Sequence, residues 1–212
     1  MKKGLAAGLL AGVALVAGFV GHQLNEHPRV QHALTAAALE VDKEGTRYLR
    51  RFGFSCGVEA WSVKTMTDSA AAAVPLTPFR STIPRLVALS PNEGQRTTPP
   101  RNFLLKYPRL IAYKLEPDSD IHLVLQSQLD PTKTLIAEIP DPQCAQGSVV
   151  LAQITAARAA FVAQFGQPQT YFINLNAPVF ISGIGFFDFL HGQRGVAPNG
   201  IELHPVLYIK KL

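Results

Sequence analysis

Along this chain the spacing of apolar residues shifts from helical to alternating at about residue 109. Upstream, Val30, Leu34, Ala37, Val41, Tyr48 and Phe52 recur at helical spacing, which predicts one or two helices over 28–51, broken near Gly45. CGVEAWSVKTMTD follows, where Val58, Trp61 and Val63 mark an extended or helical packing segment. From 70 to 100 Ala, Pro, Thr, Ser and Gly dominate, as in a linker or a long surface excursion. The alternating part then begins with RLIAYKLE (109–116), DIHLVLQS (120–127) and KTLIAEIP (133–140). These are three short strands, separated by the turn residues Pro117-Asp118-Ser119 and Leu129-Asp130-Pro131-Thr132.

A helix interrupts the alternation. Ser148 is placed to cap VVLAQITAARAAFVAQF, whose Leu151, Ile154, Ala157, Phe161 and Phe165 make one apolar stripe, and Gly166 with Pro168 ends it. APVFISGIGFFDFL (177–190) reads as a strand bent at Gly183 and Gly185, and GIELHPVLYI (200–209) as the last strand.

The order β-β-β-α-β-β predicts an α+β, mainly β chain: a five-stranded OB-like barrel preceded by an N-terminal helical extension. An open antiparallel sheet covered by the helix is the competing arrangement. The expected organisation is a signal peptide or membrane anchor over 1–22, a helical extension over 23–69 that includes Cys56, a Pro/Ala-rich linker over 70–102 and the barrel over 103–212. Alternation places Ile121, Leu123, Leu125, Leu135, Ala137, Ile139, Ile201, Leu203, Leu207 and Ile209 in the barrel core. It sends His122, Glu138, Glu202 and His204 to the outside. In the OB strand order the second, third and fifth strands are neighbours, so these four form one outer patch.

Composition adds compartment. Lys2 and Lys3 precede LAAGLLAGVALVAGFVG, an uncharged run of 17 residues that reads as an export signal. Its length lies between a signal-peptide core and a full span, so cleavage and retention of residues 4–21 in the membrane both remain open. Either way the rest of the chain is expected outside the cytoplasm, as a periplasmic, membrane-anchored or secreted protein. The only two cysteines, Cys56 and Cys144, most simply pair in that setting, which would clamp the N-terminal segment onto the barrel. A net charge of +5 suits an anionic polymer such as nucleic acid, or an anionic membrane, as partner, and equally a plain basic surface.

Candidate chemistry gathers at two places. The outer patch of His122, Glu138, Glu202 and His204 has the donor types for a divalent metal, or for a histidine oriented by a carboxylate, and equally for cross-strand ion pairs. The loops that frame an OB ligand site supply Asp118 and Asp120 on one side and Asp188, His191, Arg194 and Asn199 on the other. An acidic loop facing a polar, basic one suits a cation together with a phosphate, although Gly192, Gly195, Pro198 and Gly200 also suit a loop that merely caps itself. An HNH nuclease is excluded because its last histidine belongs on a helix, and Pro205 follows His204 within a strand-like run. No serine lies in a GxSxG elbow and no Walker loop is present.

CGVEAWSVKTMTD, YKLEPDSDIHLVL, AEIPDPQC and GIGFFDFLHGQRGVAPNGIELHPVL resemble the motif blocks of a widespread group of exported bacterial proteins to which no activity is assigned. The likeness spans roughly residues 55–209, and it implies that Cys144 belongs with Cys56 and that the histidine loop belongs to the common design. The chain departs from that pattern at Met66, where glycine is usual, and at Gln126 to Leu129, where a shorter turn is usual. Asp118-Ser119-Asp120 is similar, more distantly, to a turn of the thermonuclease-like barrel, and Glu138 to Pro142 to the acidic segment ending its third strand. The arginine of that third strand is missing, since Thr134, Leu135 and Ile136 stand there. Without a guanidinium to hold the transition-state phosphate, the resemblance supports the fold more than the activity. The function expected is therefore a binding or structural module of the cell envelope. A metal-dependent phosphodiesterase or nuclease is the alternative.

Overall fold

The computed structural model describes residues 55–212. The expected signal or anchor and the 28–51 helices lie outside the described residues. Elements run in the order α1 (Trp61–Lys64), a 3-10 turn (Ala71–Ala73), β1 (Phe79–Ser81), α2 (Ile83–Val87), β2 (Asn102–Leu115), β3 (Ile121–Gln126), β4 (Thr134–Ile139), α3 (Leu151–Phe165), β5 (Ile173–Phe187) and β6 (Ile201–Lys211). Strands pair as β1-β2-β3-β4-β6-β5, and β5 returns to pair with β2. β2 to β6 thus close a five-stranded OB-like barrel with the helix between its third and fourth strands, and β1 adds a short parallel strand beside β2. Closure leaves the five strands no free edge, which the open sheet would have had.

The inward rows of β3 and β4 are the expected ones: Ile121, Leu123, Leu125, Leu135, Ala137 and Ile139 are buried together with Phe161 of α3 and Tyr113 of β2. The last strand differs. Its register against β5 shifts on both sides of Gly183, opposite Val206, so after Pro205 the inward position passes from Leu207 to Val206. Leu207 instead joins a second apolar cluster with Met66, Ala71, Val74, Ala145, Val150, Ile154 and Ile184, outside the barrel wall. A bulge adds a residue without a partner, and strict alternation cannot be carried through it.

β2 begins seven residues before the expected start at Arg109. Pro108 sits where the β2–β5 register slips between Lys106 and Arg109, so no ladder bond is lost there. Likewise α3 starts at Leu151, because the Ser148 hydroxyl accepts from the Val150 amide at 3.1 Å inside a turn and does not cap the helix. The 70–102 stretch is more than a connector, since it contributes β1 and α2, whose Ile83 and Leu86 are buried in the barrel core.

Two close approaches shape the wall near the outer patch. At Gly185 a Cβ would lie 2.5 Å from Phe103 Cε2, so only glycine lets that ring pass. Gly200, with φ +72°, leaves no room for a Cβ against the Asp188 carbonyl, and its own carbonyl accepts from the Asp188 amide at 2.9 Å, closing the base of the β5–β6 loop.

Cys56 and Cys144 are joined, with Cα atoms 5.4 Å apart across 88 positions of sequence. The disulfide fixes the segment 55–68 to the barrel as a cover. Ser119 donates to the Ser55 carbonyl (2.9 Å), the Trp61 indole to the Cys144 carbonyl (3.0 Å), and the Val149 amide to the Met66 carbonyl (3.2 Å). Arg96 donates to the Val63 carbonyl at 2.8 Å and pairs with Asp68. Met66 takes a left-handed φ of 59°, uncommon for a residue with a side chain, and that side chain is fully buried in the second cluster. A left-handed residue is where a glycine would ordinarily stand.

Candidate functional site: an acid and imidazole cluster under the cover

His122 and Glu138 face each other directly across β3 and β4, and parallel pairing of Ile136 with Glu202 brings β6 alongside. The outward row of three adjacent strands therefore converges. His122 Nδ1 lies 3.0 Å from Glu138 Oε1, and His204 Nδ1 lies 3.0 Å from Glu202 Oε1 and 3.2 Å from Glu138 Oε2. Asp120 completes the cluster from the β2–β3 turn, its Oδ2 3.3 Å from His204 Nε2. The four outer-patch residues expected from alternation are thus together, and Asp120 leaves the loop set to join them.

The patch is not open to solvent. Asp120, His122, Glu202 and His204 are all buried, and Glu138 alone keeps 12% of its side chain exposed. Trp61 of the cover meets the His204 ring edge-on with centroids 6.4 Å apart, and Phe186 does so at 6.3 Å. The sequence pattern puts polar residues outside the barrel, but it does not show that another part of the chain lies over them.

Lys64 was not anticipated. It is carried on α1, only 8% exposed, with its ammonium 3.1 Å from Asp188. No local pattern marks it, because its partner lies 124 positions away. Burial would lower its pKa, but the negative fields of Glu202, Asp188 and Glu138 outweigh that and raise it.

The same competition sets the other charges. Burial lifts the Asp120 carboxyl to about 7, only partly offset by His204, and burial with the nearby Glu138 lifts Glu202 to about 7. Burial opposes ionisation of Glu138 too, yet bonds from His122 and His204 prevail and hold it well below the carboxylate range. Burial alone would depress both imidazoles. Asp120, Glu138 and Glu202 around His204, and chiefly Glu138 beside His122, raise them instead.

The loop candidates do not assemble into one site. Asp118 accepts from the Asp120 amide at 3.2 Å, a turn contact. Asp188 faces Lys64. His191 is exposed, 3.9 Å from Asp188. Arg194 donates to Asn174 Oδ1 at 2.8 Å, its guanidinium lies over Phe172, and its carbonyl is 3.0 Å from His122 Nε2. Asn199 donates to the Leu86 and Leu89 carbonyls (3.1 and 2.9 Å) and accepts from the Ile201 amide, so both ends of its amide bind backbone.

A separate concavity of about 540 Å³ lies on the outer face of β2, β5 and β6, where Leu104, Phe180, Leu207 and Tyr208 line it and Lys210 stands at its edge. Among the described residues no helix is long and apolar enough to cross a membrane. The disulfide is of the kind that persists in oxidising compartments. Compared with family models, with curated proteins and with solved structures, the chain matches none.

Proposed function

We propose that the chain is an exported module of the bacterial cell envelope with a binding or structural role. The observation that carries this reading is the self-occupied ligand face. OB-folds bind on the second and third strands between the two framing loops. Here that face holds the acid and imidazole cluster beneath the 55–68 cover, pinned by Cys56–Cys144, Trp61, Lys64 and Arg96. Of the groups that would attack or protonate a substrate, Glu138 alone keeps contact with solvent while the cover is in place. Of the loop side chains that would grip a phosphate, Arg194 and Asn199 bond their own chain.

One observation favours the phosphodiesterase reading: Asp120, Glu138 and His204 each offer an atom within 4.8 Å of the others. Incubating the purified protein with DNA, RNA and a small phosphodiester in Mg²⁺, Ca²⁺ or Zn²⁺, with and without reductant, separates the two. No turnover is expected in either redox state. Turnover that disappears in His204→Gln would overturn the proposal in favour of the enzyme. A nucleic-acid receptor would instead show binding that weakens steeply with salt and no cleavage, and fluorescence anisotropy at two salt concentrations reads that directly.

A further inference from the structure

We propose that Asp120, Glu138 and His204 bind one divalent transition-metal ion, of the zinc or manganese class, between the barrel wall and the cover. This goes beyond the functional reading and does not depend on it, since a structural module and an enzyme alike could hold the ion.

Three observations carry it. First, the donors come from three adjacent elements and meet within 4.8 Å. Second, fully buried groups among them lack partners: neither Asp120 oxygen nor His204 Nε2 makes a hydrogen bond. The 3.3 Å between His204 Nε2 and Asp120 Oδ2 is poorly directed for a hydrogen bond. It matches the roughly 3.4 Å between two ligands on a tetrahedral ion with bonds of about 2.1 Å. A buried carboxylate whose one partner is an imidazole held off-axis is incompletely satisfied, so the geometry points to a further ligand in that gap. Third, an outer ring of orienting groups is present. Glu202 sits 3.0 Å from His204 Nδ1, so that Nδ1–H can donate to it and leave the Nε2 lone pair free. His122 in turn holds Glu138 Oε1 at 3.0 Å, and Oε2, 3.2 Å from His204 Nδ1, is the oxygen nearer that imidazole.

Charge agrees with this assignment. Glu138, Glu202 and Asp188 act on one ammonium, Lys64, and Asp120 lies beside His204. Arg158 is paired with Asp141 at 3.3 Å, and Glu116 with Lys114 at 2.9 Å. A divalent cation suits a cluster in which carboxylates outnumber ammonium groups. An imidazole nitrogen beside carboxylates suits zinc or manganese better than the all-oxygen shells of calcium or magnesium.

The test uses the full chain, refolded with its disulfide in the presence of Zn²⁺, Mn²⁺ or Co²⁺, desalted and analysed for metal. About one ion per chain is expected, with visible Co²⁺ absorption of a low-coordinate nitrogen and oxygen site that Zn²⁺ displaces. Asp120→Asn and His204→Gln should each weaken binding at least tenfold, whereas His191→Ala should bind as the unaltered chain does. Near-UV circular dichroism identifies variants that fold; should neither fold, the Co²⁺ spectrum of the unaltered protein decides. Absence of a stoichiometric ion in the unaltered chain, or undiminished binding by a folded Asp120→Asn or His204→Gln protein, overturns the proposal.

Discussion

Breaking the Cys56–Cys144 bond should loosen the cover and cost much of the stability of the domain. The bond closes a loop across 88 positions. On the chain-entropy view, a loop of that length restrains the unfolded chain by about 4.5 kcal/mol. For a protein of this size each kcal/mol corresponds to roughly 2–4 °C in Tm, so Cys56→Ser/Cys144→Ser should melt roughly 10–15 °C lower. Trp61, the only tryptophan, reports on the cover itself, because its indole bonds the Cys144 carbonyl and its ring rests on His204. Its emission should shift to the red and become accessible to acrylamide in the double serine variant at temperatures where far-UV circular dichroism still shows the barrel. A fall of less than about 3 °C with Trp61 still shielded would refute the reasoning. It would mean that Lys64, Arg96 and the second apolar cluster hold the cover without covalent help.

Three further outcomes are expected. Lys64→Met leaves Asp188 buried without its cation and should cost about 3–5 kcal/mol in urea unfolding; Lys64→Met/Asp188→Leu should recover part of that. Arg96 holds the Asp68 carboxyl below its ordinary pKa through a hydrogen bond, so the pair stabilises the fold above the unfolded carboxylate range, and the contribution is lost as pH falls through the folded pKa. Asp68→Asn should therefore cost about 2 kcal/mol at neutral pH and progressively less below about pH 4, compared by urea titration at pH 7 and pH 3. Gly200→Ala forces a side chain into a left-handed φ against the Asp188 carbonyl and should cost about 2–4 kcal/mol by thermal melting.

The strand and helix order, and with it the barrel, was legible in the sequence because alternation and helical periodicity are local properties of the residues that bury themselves. The pairing of the two cysteines was legible for a different reason: with only two, there is a single partner to choose. The convergence of His122, Glu138, Glu202 and His204 also followed from alternation, given the OB strand order. Three things required the folded chain. Leu207 and Val206 exchange roles because a bulge opposite Gly183 breaks the period, and no local pattern announces a residue that has lost its partner across the sheet. The loop set, from Asp118 to Asn199, dispersed because loop side chains are satisfied by whichever backbone groups lie near them, such as the Leu86 and Leu89 carbonyls that hold Asn199. Above all, the burial of the cluster was decided by tertiary structure alone: alternation distinguishes the inside of a barrel from its outside, but only docking of 55–68 onto that outer face turns a solvated row of charges into a sealed one, with Lys64 among them.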